Sequence, residues 1–579
     1  MGSMESVIRK FAARPHRSIL VLGLALLLVG NWILPITDRD EARFAEASRE
    51  MLQRGDYIVP WFNGQWRFDK PILIYWCQSA CYRVLGVNGF AARLPSVLFT
   101  TATALLLVSW GRKAAGDLAG FMAGAMFILA FHVAIIGRIA TADMAMVFFF
   151  TLAVWSGWEL TRPTVGGART NADGPPARPQ EAFDDEKRTG PPLPAPLPHS
   201  ENFLSPQAVA TPVAMSAARA ATLPRLDRKV WWLIFYAALA FGFLAKGPVA
   251  WLPVGGVVLG KALRKDSFRL PWAETIGGLL LTVALVACWG IPALARTRGQ
   301  FWAVGIGEHV IHRSIGVNDS HGLKGWGNFV LLLPLYFLTF LVSFLPWTLH
   351  KPERLEPWFQ SKARKGPLWR AAVALLRPLS FPLNFPIRIW RWWPERRRDT
   401  LGWYLLTQSL IVFGVFTLVR TKLPHYTLPA FPCLALWLAL QVWTETASRA
   451  WFQRRFIAMV ILIPVVVLAV AITAKDHSLT ENLWRAVKTN VRPETRVGCF
   501  GYVEPSLVWK FRGIITNTVV LGDERRAKGF LTNRPPFILV LPTQDAATLS
   551  ETNALRIQVH GFDMVRFKER DLTAIVEGR

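Results

Sequence analysis

The chain has 579 residues, with 66 Lys and Arg against 39 Asp and Glu (net charge +27), and 52% of its residues are hydrophobic, including 26 Trp and 37 Phe. Apolar runs of spanning length recur along most of it, which excludes an ordinary water-soluble or disordered protein and indicates a multi-pass membrane protein. The positive charge therefore does not imply a nucleic-acid partner, because basic residues of membrane proteins gather in cytoplasmic loops. Five scattered cysteines argue against a disulfide framework or a zinc–thiolate site, and Cys77 with Cys81 at i,i+4 lines one side of a helix.

In chain order, Met-Gly-Ser-Met reads as a cloning remnant and the basic stretch with Arg9, Lys10, Arg14 and Arg17 belongs inside. The first apolar run, about 18–36, has no small-residue cleavage site before its charged exit and reads as a retained helix. It opens into a loop, 37–86, dense in charge: Asp38-Arg39-Asp40-Glu41-Ala42-Arg43 and then Phe68-Asp69-Lys70-Pro71. Ionisable groups of both signs are costly at a membrane boundary and mark a site. Within this loop Glu41 to Arg54 and Pro71 to Leu85 have helical periodicity with one apolar side, as expected of helices lying along the membrane surface. The second could also cross the membrane, which would invert every later helix, but the positive-inside balance opposes that.

Further spans are expected near 94–111, 118–137, 144–160, 230–246, 248–263, 273–294, 327–348, 401–419, 427–444 and 455–474, for about eleven in all. Residues 161–228 interrupt them with a Pro-, Ala- and charge-rich stretch too poor in apolar residues for a core, expected to be a disordered cytoplasmic insertion. Residues 349–400 form a basic cytoplasmic segment, with twelve basic and four acidic residues between Lys351 and Asp399. The transmembrane part thus runs over 1–474. An odd number of spans puts 475–579 outside, where strand-like runs such as Ile514 to Leu521 and Phe537 to Leu541 alternate with helical patterns, indicating a small α/β domain. It has no phosphate loop and no GxGxxG after a strand, so no nucleotide cofactor is implied.

On this topology several short polar connections meet the first loop on the outer face: Arg138 with Thr141-Ala142-Asp143, Lys246-Gly247-Pro248, Glu308-His309 with His312-Arg313 and His321, and Arg420 to Tyr426. Singly, Lys246 reads as a snorkelling anchor, His309 as a satisfied loop histidine, and Arg420 and Lys422 as flanking charges. Jointly they read as a site, most strongly at Asp40, Lys70 and Asp143.

These residues resemble the lipid A aminoarabinose transferases and, more distantly, the protein O-mannosyltransferases, polytopic α-helical membrane enzymes of the C-type glycosyltransferase fold. The resemblance rests on Asp40-Glu41-Ala42-Arg43-Phe44-Ala45-Glu46, Arg49-Glu50-Met51, Gly55-Asp56, Phe68-Asp69-Lys70-Pro71 and Tyr75-Trp76. It continues through Asp143, Lys246, Glu308-His309 and Lys422-Leu423-Pro424-His425-Tyr426. Asp69 stands where those enzymes carry Glu, the 161–228 insertion is extra, and the carboxy-terminal domain matches in position only.

The resemblance implies a polyprenyl phosphate-linked sugar donor, a lipid A or other envelope glycolipid acceptor, and inverting transfer on the periplasmic face of a bacterial inner membrane. The expected catalytic carboxylates are Asp40, Glu41 and Asp143. Arg43, Lys70, Lys246, Arg420 and Tyr426 are expected to hold the donor phosphate, whose growing charge cations would stabilise. Asp69 and His309 would bind a divalent metal such as zinc, the alternative being a metal-free ion pair at Asp69. Transfer to protein or another glycan stays open. A transporter is disfavoured because neither internal repeats nor midplane charges are evident.

Overall fold

The computed structural model describes residues 2–37, 39–162, 226–264, 271–312, 332–349, 366–369, 400–419, 421–443, 446–531, 536–549 and 554–578. The insertion expected at 161–228 and the basic segment at 349–400 fall almost wholly outside these residues.

The chain opens with α1 (Gly2–Ala13) and α2 (Pro15–Leu28), the latter started by a proline whose fixed φ and missing N–H suit a first helical turn. After the charged exit comes α3 (Asp40–Arg54), ended by Gly55 in the left-handed region (φ 65°). A hairpin of β1 (Trp61–Phe62) and β2 (Gln65–Trp66) separates it from α4 (Leu73–Leu85). These are the two amphipathic helices read from the first loop. The next helix, α5 (Gly89–Ala115), is started by Asn88, whose side chain accepts from the Ala91 N–H.

Then follow α6 (Asp117–Ile128), α7 (Phe131–Ile136), α8 (Asp143–Thr161), α9 (Arg228–Lys246), α10 (Leu252–Arg264) and α11 (Trp272–Arg296). Beyond a π-helical segment (Phe301–His312) lie α12 (Leu335–Ser343), α13 (Thr400–Leu418), α14 (Phe431–Val442) and α15 (Thr446–His477). Six described helices are long and apolar enough to cross a membrane: α5, α8, α9, α11, α13 and the stretch Ser448–His477. Shorter apolar helices, among them α2, α6 and α10, accompany them. Every apolar run read from the sequence contains helix in its described part, although in several, such as 18–36 and 327–348, the helix covers only part of the run.

The membrane core packs tightly through small residues. A Cβ on Gly111 would lie 2.8 Å from the Gly120 Cα, and one on Gly120 would lie 2.5 Å from the Val108 carbonyl oxygen. The α5–α6 backbones therefore touch, a contact that only glycine permits.

After α15 come α16 (Leu479–Val487), β3 (Arg496–Phe500), α17 (Pro505–Phe511), β4 (Val520–Gly522), α18 (Ala527–Phe530), β5 (Phe537–Pro542), α19 (Thr543–Ala547), β6 (Leu555–Asp563) and β7 (Lys568–Glu577). The sheet order is β4-β3-β5-β7-β6, parallel at β3–β4 and β3–β5 and antiparallel at β5–β7 and β6–β7. Strand alternation gives the sheet two apolar faces. Ile538 and Val540 join Leu483, Leu507 and Val508 on one side, and Leu539 and Leu541 join Phe530 and Phe500 on the other. Of the run from Ile514 to Leu521, only the end is strand.

This domain rests on the outer loop. Arg49 of α3 donates to the Trp509 carbonyl (3.1 Å) and lies over its ring (4.9 Å), while Asn63 exchanges two 2.8 Å hydrogen bonds with the Val519 backbone. Glu46 and Glu50 face Arg512 at 3.9 and 3.7 Å. The loop is thus clamped between the helix bundle and the domain.

Gly120→Ala should lower the thermal midpoint in detergent, by about 1–3 kcal/mol of overpacking. Gly414→Ala, where an added Cβ meets nothing within 4 Å, should leave it equal or raise it through better helix propensity. Equal behaviour of the two variants would disprove the close α5–α6 contact.

Candidate active site

Asp40 and Glu41 are adjacent, but the first turn of α3 leaves one exposed and buries the other. Asp40 is exposed, with Arg43 one turn on at 3.8 Å. Arg39 before it has φ 65°, a left-handed conformation unusual for a non-glycine residue. Glu41 is 2% exposed and fully engaged: it pairs with Arg93 (2.8 and 2.9 Å) and accepts from Thr37 N–H, Thr37 Oγ1 and Ala140 N–H. Burial opposes its charge, but Arg93 and these donors outweigh that and hold the carboxyl below its ordinary range. Glu41 therefore belongs to the frame of the loop; like Asp40, Arg43 and Asp143, it is not among the residues lining the cavity.

That cavity, of about 780 Å³, lies between the outer loop, the α9–α10 connection, α11, the π-helical segment and the chain after α13. Asp69, Lys70, Lys246, His425 and Tyr426 line it, against an apolar wall that includes Phe243, Trp251, Trp289 and Phe301. Phe301 is held edge-on between Phe68 (5.4 Å) and Trp289 (5.1 Å), and Trp289 Nε1 donates to the Ile58 carbonyl at 2.9 Å. Such a space, apolar with a few cations to one side, suits an amphiphile with an anionic head.

Three connections supply the polar side. Asp143, the first residue of α8, is buried and accepts a hydrogen bond from Lys246 Nζ. Lys246 ends α9, where Gly247 (φ 81°) and Pro248 turn the chain, and its Nζ lies 5.5 Å from the centre of the Tyr426 ring. Asp143 thus engages a lysine that itself lines the cavity. His425 lies in the fields of Asp143, Lys246 and Asp40, yet burial dominates and pushes it down to about 4, so it is neutral at physiological pH.

Asp69 accepts from Arg67 (3.1 Å), whose guanidinium is buried and lies 5.0 Å from the Phe44 ring. Burial works against the Arg67 charge, but Tyr75 and Asp69 hold its pKa above the ordinary value, while burial pushes the Tyr75 hydroxyl up to about 12. Arg67, Arg93 and His425 were not singled out by sequence reasoning. Arg93 sits one residue before an expected span, and Arg67 precedes the Asp69 motif without a pattern of its own.

Lys422 donates to the carbonyls of Phe416 (3.0 Å) and Thr417, closing the end of α13. Arg138 similarly donates to Ala134, Val29 and Leu26 carbonyls and closes the end of α2. Arg420 and the His309 side chain lie outside the described residues. The expected metal pair therefore has one described member, Asp69, and it is engaged by Arg67. Among the described residues no three His, Cys, Asp or Glu side chains come together as a metal would need.

Residues 19–170 match the family described as dolichyl-phosphate-mannose-protein mannosyltransferase. An uncharacterized protein of Aquifex aeolicus is 34% identical over 148 residues, 26% of this chain and 35% of that protein. The undecaprenyl phosphate-alpha-4-amino-4-deoxy-L-arabinose arabinosyl transferase of Edwardsiella ictaluri is 25% identical over 72% of this chain and 58% of its own length. The chain thus spans between about a third and three fifths of these relatives. A crystal structure of ArnT from Cupriavidus metallidurans bound to undecaprenyl phosphate superposes with a TM-score of 0.62 at 15% identity, covering 96% of this chain and 97% of that one.

Glu41→Gln should destabilise the protein by about 3–5 kcal/mol, because it leaves Arg93 buried without its counter-charge, and Arg93→Met added to it should recover part of the loss. Thermal midpoints and monodisperse yield in detergent report this; wild-type stability with lost turnover would return Glu41 to the chemistry. The chain thus has the fold of that ArnT structure over nearly its whole length, and its sequence is similar to the aminoarabinose transferases and, over residues 19–170, to the dolichyl-phosphate-mannose-protein mannosyltransferase family.

Proposed function

We propose that the protein transfers a sugar from a polyprenyl phosphate donor to lipid A or another envelope glycolipid, on the periplasmic face of a bacterial inner membrane. The observation that carries this reading is the convergence of Lys70, Lys246 and Tyr426, from three separate connections, on one largely apolar cavity. The polyprenyl chain is accommodated by the apolar wall, and its phosphate by the two lysines and the Tyr426 hydroxyl. Arg43 and Arg420 are assigned to the same anionic group.

The reaction is a single displacement. An acceptor oxygen forms a bond to the anomeric carbon as the bond from that carbon to the phosphate oxygen breaks, and the electron pair leaves with the polyprenyl phosphate. Charge grows on the departing phosphate, so cations fixed beforehand stabilise the transition state more than the ground state. For a hydroxyl acceptor, Asp40 takes the proton; for an ionised phosphate acceptor, it orients the acceptor or faces the positive sugar ring. Asp143 acts through Lys246, fixing where its ammonium points. Asp69 is assigned as the ion-pair partner of Arg67; stoichiometric zinc in active protein purified without metal-affinity steps would overturn that.

The discriminating experiment is incubation of purified protein with polyprenyl phosphate sugars, following free polyprenyl phosphate. Release dependent on acceptor supports transfer, whereas transport or binding leaves the glycosidic bond intact. Mass spectrometry of envelope lipids with and without the protein identifies sugar and acceptor together. The match of residues 19–170 to protein mannosyltransferases favours a protein acceptor as the second reading, and a sugar mass found on protein with unchanged lipids would select it.

Asp40→Asn keeps the shape of the exposed side chain but cannot take a proton or carry charge. Turnover should fall at least ~100-fold with folding and donor binding intact, the lower bound for losing a general base; wild-type turnover would remove Asp40 from the chemistry. Lys70→Ala should cost ~1.5 to 3 kcal/mol of a charge-assisted contact, split between donor KM and kcat because the phosphate gains charge in the transition state. Kinetics unchanged at every donor concentration would exclude Lys70 from the site.

A further inference from the structure

The tip of the β6–β7 hairpin carries an exposed aromatic residue that nothing above uses. Phe567 is 82% exposed and has φ 50°, a conformation that a bulky side chain seldom adopts. The turn holding it is well fixed. Buried Asp563 accepts from the N–H groups of Val565 and Arg566, each at 3.0 Å, and from Arg570 at 3.4 Å. Arg566 and Lys568 flank Phe567 and are also exposed. An aromatic ring between two cations, presented by a rigid turn, has the chemistry of the zone where lipid headgroups meet hydrocarbon.

Its position fits the same zone. Phe567 packs edge-on against Phe562 (6.3 Å), and Phe562 bridges to Ser478, the residue immediately after α15. That helix exposes Ile461, Val465, Val470 and Ile472 along its length, as a lipid-facing span does. A Cβ on Gly561 would lie 2.7 Å from the Leu479 Cα, so the hairpin is held directly against the exit of the span. The depth follows from Gly30, which faces Val467 and Ala471 of α15, with exposed Trp32 two residues on. From Ala471 to Ser478 is roughly 10 Å of helix, which sets Ser478 near the outer edge of a headgroup layer of about 5–8 Å per side beyond an aromatic belt at Trp32, within reach of a side chain at the hairpin turn. Glu504 lies within electrostatic reach of Asp563, Arg39, Arg566 and Arg43, so this end of the hairpin and the start of α3 belong to one charged neighbourhood.

We propose that the β6–β7 turn is a membrane-contact element: Phe567 enters the interfacial layer of the bilayer on the side of the cavity, and Arg566 and Lys568 pair with lipid phosphates. The carboxy-terminal domain is then held by three supports: its covalent link to α15, its bonds to α3, and this turn on the lipid surface. The inference requires no particular substrate and stands apart from the transferase reading.

The test uses the full chain in nanodiscs of phosphatidylethanolamine and phosphatidylglycerol, with the photo-crosslinking residue p-benzoylphenylalanine in place of Phe567. Irradiation followed by mass spectrometry should give lipid adducts at this position. The same residue in place of Leu555, which is 57% exposed at the far end of β6, should give at least ten-fold fewer. Arg566→Ser with Lys568→Ser, in the crosslinking protein, should lower the share of phosphatidylglycerol in the adducts several-fold. Absence of lipid adducts at position 567, adducts equal to those at position 555, or crosslinks to a second protein chain in their place would overturn the proposal. An unchanged phosphatidylglycerol share would overturn the role of the two cations.

Discussion

The arrangement of the outer face depends on one buried ion pair, Glu41 with Arg93. Two charges withdrawn from water are tolerable only when each finds nearly all its hydrogen-bond partners, and here they do. The Glu41 oxygens accept from Arg93, Thr37 and Ala140, and Arg93 donates also to the carbonyls of Asn31, Leu34 and Pro35. Those carbonyls lie in the irregular chain after α2, where backbone acceptors would otherwise be stranded at the membrane boundary. The pair therefore joins the exit of α2, the start of α3, the start of α5 and the approach to α8. Asp40 precedes Glu41 directly, and Ala140 stands three residues before Asp143. Of the three carboxylates expected to be catalytic, Glu41 thus holds in place the segments that carry the other two, Asp40 and Asp143.

A second division of labour concerns the cations. A phosphate site gains nothing from arginines and lysines committed to backbone carbonyls, and Arg138 and Lys422 are so committed, each closing a helix end. Lys246 differs because it donates to a carboxylate at the base of a connection, which fixes the ammonium while leaving it at the cavity wall beside Tyr426. An anion entering the cavity would then meet a charge that is already oriented. Neutral His425 fits the same logic, since a further full charge among Lys246 and Asp143 would have to be desolvated, whereas a neutral imidazole can still hydrogen-bond.

The helices and the converging connections were legible in the sequence, because apolar runs and charges in short loops have few other physical explanations. The separation of Asp40 from Glu41 was not. Neighbouring residues on a helix point about 100° apart, and which one faces the core depends on the phase with which α3 leaves α2, set by contacts with Arg93, far along the chain. The buried arginines were obscured for a related reason. A charge just before an apolar run, as at Arg93, looks like a boundary marker whether it faces water or an internal carboxylate. Arg67 is recognisable only once Phe44, Asp69 and Tyr75 are assembled around it. The strand at 537–542 was readable from its unbroken apolar run, whereas most of 514–519 is irregular because it turns to reach Asn63 of the outer loop.

That last contact bears on why the loop can serve as a site at all. A charged segment of this length at a membrane surface would ordinarily sample many conformations, and each ordered residue costs on the order of 1–2 kcal/mol of backbone entropy. Here α3 is covered on one side by α4 and α5 and on the other by the carboxy-terminal domain. Arg49, Glu46, Glu50 and Arg512 occupy the second contact, and Asn63 adds a strand-like pair with Val519. Removing the domain would expose those buried charges and uncover one side of α3, although none of the domain's described side chains lines the cavity. A domain with no nucleotide fingerprint thus has a structural role, because its contacts fix one side of α3 and the β1–β2 hairpin.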